Sequence, residues 1–111
     1  MIICETVTIP TSNAGHNLTT LLANITNYIP GPTNRVACLK ISYGGANQVF
    51  LVPKAGAYTP VATKPPSYGW DFNVGGTLWE QTFPTNACSL SDFFLASDTA
   101  GEQVQIFAYS I

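Results

Sequence analysis

Arg35-Val36-Ala37-Cys38-Leu39-Lys40-Ile41-Ser42-Tyr43-Gly44-Gly45-Ala46-Asn47-Gln48-Val49-Phe50-Leu51-Val52 decides the fold class. In its first half Ala37, Leu39, Ile41 and Tyr43 fall on one side, with Cys38, Lys40 and Ser42 on the other. A period of two belongs to a pleated strand that buries one face. Gly44-Gly45-Ala46-Asn47 supplies turn chemistry and predicts a hairpin joining 35–43 to 48–52. The second half is apolar on both faces. It reads as a central sandwich strand, or as one with a face covered by a partner.

The same pattern extends in both directions. Towards the N-terminus, Val7 and Ile9 alternate with Thr6 and Thr8, and Pro10 closes that strand. Between the two strands the period changes. Leu18, Leu21, Leu22, Ile25 and Ile29 lie on one face of a helix over 17–29. Asn17 is its expected N-cap, and Pro30-Gly31-Pro32 forbids continuation. Towards the C-terminus, Trp70, Phe72 and Val74 alternate inward, Gly75-Gly76 turns the chain, and 77–83 pairs back. The burial direction of 77–83 is left open, because Leu78 and Trp79 are adjacent. Residues 92–97 form a strand around Phe93, Phe94 and Leu95. Residues 103–109 alternate Val104, Ile106 and Ala108 against Gln103, Gln105, Phe107 and Tyr109. Seven short strands and one helix, with turn signals about every ten residues, predict a mainly β domain: an antiparallel β-sandwich or jelly-roll-like barrel with one short N-terminal helix. The last strand is uncharged and carries aromatics on its second face, so it is expected to be central or covered.

The 111 residues make one domain, 1–111. They are 46% hydrophobic and only 9% charged, against about a quarter charged in an average domain. Such a weakly hydrated surface suits a protein with neighbours. The net charge of −2 argues against a nucleic-acid partner, and no apolar run is long enough to span a membrane. Arg35, Lys40, Lys54 and Lys64 cluster mid-chain and Asp71, Glu80, Asp92, Asp98 and Glu102 follow. They read chiefly as solvated strand faces and loops. Cys4, Cys38 and Cys88 fit no zinc or redox spacing and read as buried free thiols, with one disulfide and a spare thiol as the lesser alternative. Residues 53–69, Pro-Lys-Ala-Gly-Ala-Tyr-Thr-Pro-Val-Ala-Thr-Lys-Pro-Pro-Ser-Tyr-Gly, hold four of the 8 prolines. This Pro-rich loop is either an arm that lies on a neighbour or a connection packed on its own domain.

Catalytic chemistry finds little to work with. His16, beside Gly15, lacks an evident nucleophile to serve. The Gly pairs sit between strands, where no phosphate loop forms. Asp71 and Glu80 flank the Gly75-Gly76 turn, each next to a Trp, which raises glycoside chemistry or sugar stacking as alternatives. Solvent-facing carboxylates explain them more simply. The expectation is a non-enzyme with no cofactor and no metal.

Three further stretches carry a family resemblance. They are Val7-Thr8-Ile9 with Asn17-Leu18-Thr19-Thr20-Leu21-Leu22, Gly75-Gly76-Thr77-Leu78, and Ser89-Leu90-Ser91-Asp92-Phe93-Phe94-Leu95-Ala96-Ser97 running into Ala100-Gly101-Glu102-Gln103-Val104-Gln105-Ile106. Together, over roughly 7–29 and 75–107, they resemble small virion proteins of tailed bacteriophages, of the capsid decoration or cement type. The 53–69 segment and Trp79-Glu80-Gln81 lie outside that pattern. The resemblance implies a β-sandwich at the capsid surface whose partners are the major capsid protein and copies of itself, as a trimer or dimer. The interface residues expected on this reading are Tyr58, Val61, Tyr68 and Trp70, followed by Phe107 and Tyr109. The alternative is a carbohydrate-binding or host-adhesion module that offers Trp70, Trp79, Asp71, Asn73 and Glu80 to a glycan.

Overall fold

The computed structural model describes residues 2–24, 35–52, 70–72 and 78–111. Among the described residues ten strands run in chain order: β1 (Ile2–Thr8), β2 (His16–Asn17), β3 (Arg35–Val36), β4 (Cys38–Ser42), β5 (Val49–Val52), β6 (Trp70–Asp71), β7 (Leu78–Thr82), β8 (Cys88–Ser89), β9 (Phe94–Ser97) and β10 (Gln103–Tyr109). They pair antiparallel from the outside inward: β1 with β10, β2 with β9, β3 with β8, β4 with β7 and β5 with β6. The chain is thus one long double-stranded ribbon. Rolling it sets β10 against β4 and β9 against β5. Two four-stranded sheets result, ordered β1-β10-β4-β7 and β2-β9-β5-β6, with β3-β8 as a short separate pair. This is jelly-roll topology, which closes the β-sheet problem by winding a ribbon on itself.

The two expected hairpins do not form. β4 and β5 lie in different sheets, and so do β6 and β7. Tyr43 supplies the physical reason at the first of these junctions. Its ring is buried to 2% exposure in the core, where it meets Phe72 edge-on at 6.5 Å. Its hydroxyl donates to Glu102 Oε1 and accepts from the Asn47 backbone N–H, each at 3.0 Å. Gly45 sits directly over the ring. The glycine-rich stretch therefore arches over an aromatic plug and carries the chain from one sheet to the other. At the second junction β6 is held by β5, with Leu51 opposite Trp70, and β7 is held by β4.

Between the sheets lies one core that includes Ile3, Val7, Ile9, Leu39, Ile41, Val49, Leu51, Leu95, Val104 and Ile106. Burying each such side chain contributes about 1.5–3 kcal/mol. The apolar alternation of β10 is borne out: Val104, Ile106 and Ala108 are buried and the residues between them are exposed. β10 is also central, between β1 and β4. β5 is central as well, and all four of its residues are buried. Its second face, Phe50 and Val52, clusters with Ala96 and Phe94.

Helix α1 (Leu18–Ala23) buries Leu18, Leu21 and Leu22, the expected face. Asn17 caps it by accepting from the Thr19 N–H at 2.9 Å, and its amide donates to the Ser91 carbonyl at 2.6 Å. Ile25 and Ile29 lie outside the described residues, as do 53–69. The strand expected at 92–97 begins at Phe94, because Leu90–Asp92 form a 3-10 turn. The 77–83 ambiguity resolves with Trp79 packed inward near Phe93 at 5.6 Å and Leu78 outward.

Candidate functional site

The outer face of the first sheet is assembled by register. Outward residues line up in three rows across β1, β10, β4 and β7: Ile2-Tyr109-Cys38-Thr82, Cys4-Phe107-Lys40-Glu80 and Thr6-Gln105-Ser42-Leu78. Ile2 (75% exposed), Leu78 (49%), Phe107 (37%) and Tyr109 (37%) are apolar groups left in solvent. Phe107 and Tyr109 stand two residues apart on the central strand, with ring centroids 6.3 Å apart in an edge-to-face contact. That geometry complements the quadrupoles of the two rings.

Among the described residues the rows carry one ion pair. Lys40 Nζ lies 3.1 Å from Glu80 Oε2, and both side chains are nearly half exposed. An exposed pair of this kind stabilises the fold by about 0–1 kcal/mol. Two depressions lie on the Thr6-Gln105-Ser42 side of the face, the first of them reaching Phe107. One, of about 350 Å³, is lined by Cys4, Glu5, Thr6, Lys40, Ser42, Gln105, Ile106 and Phe107. The other, of about 450 Å³, runs over Thr6, Ser42, Gly44, Gly45 and Gln103. Ser42 Oγ donates to Gln105 Oε1 at 3.2 Å along their shared margin. The face is thus a shallow, largely uncharged platform with an aromatic centre. Its chemistry suits docking, where buried aromatics carry the affinity.

Of the interface residues expected from sequence, Phe107 and Tyr109 come together on this platform. Trp70 is 36% exposed on β6, at the edge of the other sheet. Tyr58, Val61 and Tyr68 lie outside the described residues. Sequence reasoning missed Ile2, Cys4 and Leu78. Only the pairing of β1 and β7 around β10 and β4 gathers them, and that pairing is long-range.

The carboxylates have other employment. Asp71 is buried at 6% exposure and accepts from the Gln48 side-chain amide, while Glu80 pairs with Lys40. They belong to different sheets, so the expectation that they flank one turn on paired strands is corrected. The sugar-binding set is likewise split: Trp70 and Asp71 are on one sheet and Trp79 and Glu80 on the other, and Asn73 lies outside the described residues. His16 sits on β2, its Nε2 within 3.0 Å of Thr11 Oγ1 and 3.2 Å of the Thr11 carbonyl, where it ties down the 11–16 turn.

The three thiols are free, and one corrects the sequence reading: Cys38 and Cys88 are buried, but Cys4 is exposed on the platform. Burial pushes the Cys88 thiol up to about 11, assisted by Asp92 and opposed by Arg35. The Tyr43 hydroxyl is raised as well, chiefly by burial, with the Asn47 N–H opposing and Glu102 reinforcing the rise. The chain matches no protein-family model, no curated protein and no solved structure.

Proposed function

We propose that the chain is a structural protein of a virion, a capsid decoration or cement protein that stabilises contacts between capsid subunits without catalysis. The observation that carries this reading is the platform on the first sheet. Ile2, Leu78, Phe107 and Tyr109 stand in solvent on a face where, among the outward residues of the described strands, the charges are Lys40 and Glu80, which pair with each other. A lone domain gains nothing from such a surface. A subunit in an assembly buries it, with aromatics at the centre and Thr, Ser and Gln around them. Jelly rolls occur among capsid and lectin domains, so the fold is compatible with the reading but does not select it. The sequence resemblance to phage virion proteins supplies the placement at the capsid surface, with the major capsid protein and further copies of the chain as partners.

The test is composition. Purified particles should contain the chain in a fixed, symmetry-related ratio to the major capsid protein, read by mass spectrometry and by density at the outer surface in electron cryomicroscopy. Absence from purified particles overturns the proposal. A positive glycan array with undecorated particles would favour the carbohydrate-binding alternative, which draws less support from a tryptophan and carboxylate set divided between two sheets.

A further inference from the structure

We draw no further inference here: the strongest candidate, the cluster of three carboxylates, Asp71, Asp98 and Glu102, that accept hydrogen bonds from the 43–48 arch between β4 and β5, is an acidic cluster whose described bonds all close within the chain, and nothing in the structure points to a ligand for it.

Discussion

A methyl group added at Gly45 would overlap the ring and hydroxyl of Tyr43, whereas one added at Gly44 meets nothing. The ring cannot retreat, because it fills the core and its hydroxyl is held by Glu102 and Asn47. Gly45→Ala should therefore destabilise the fold by about 1–3 kcal/mol, while Gly44→Ala should leave the urea midpoint nearly unchanged. Denaturation of the two variants side by side checks the claim. The thiols separate by the same local logic. Cys88, pushed up to about 11 by burial, stays a thiol near pH 8. Cys4 is exposed, so a maleimide should label Cys4 first and reach Cys88 only on unfolding. The pH dependence has a definite sign. Cys88 and Tyr43 both have folded values above their ordinary ones, so the unfolded chain gives up its protons first as pH rises. Stability should fall from about pH 9 towards pH 11. A denaturation midpoint that is flat across that range would contradict the burial of both groups.

Among elements, α1 depends most on a single side chain. Asn17 caps its first turn and also ties β2 to the Leu90–Asp92 turn through the Ser91 carbonyl. Asn17→Ala loses both bonds and should cost about 1–2 kcal/mol, visible as a lower melting temperature with unchanged strand content. The elements were largely legible in the sequence because each carries its own period. Gln103–Tyr109 alternates without a break, Leu18, Leu21 and Leu22 fall on one helical face, and the buried residues are the ones those periods select. The partners of the elements were not legible. Gly44-Gly45 and Gly75-Gly76 announce a change of direction, but no local signal separates a hairpin from an arch to the other sheet. Tyr43 decides that choice through groups as distant as Glu102 and Phe72. The platform was half legible for the same reason. Phe107 and Tyr109 share a strand and showed themselves, whereas Ile2 and Leu78 join them only through register.

For the whole molecule, the ribbon winding assigns residues 53–69 a place in the connectivity: they join β5 to β6, the innermost pair. Leu51 stands opposite Trp70, so the two ends of this connection are adjacent strand positions. A connection between adjacent antiparallel strands needs only a few residues. Deleting 56–66 leaves six of the seventeen, which is enough to close the pair. By loop-closure entropy alone the shorter connection stabilises the fold by about 1 kcal/mol. The deletion variant should keep the strand spectrum and a cooperative melt at or slightly above the wild-type temperature. If Tyr58 and Val61 dock on a capsid, the same variant, which keeps Tyr68, should bind undecorated particles more weakly. Loss of the fold on deletion would instead make 56–66 part of the domain's own packing. Docking would then rest with the platform residues and Trp70, and particle binding by Phe107→Lys would become the decisive measurement.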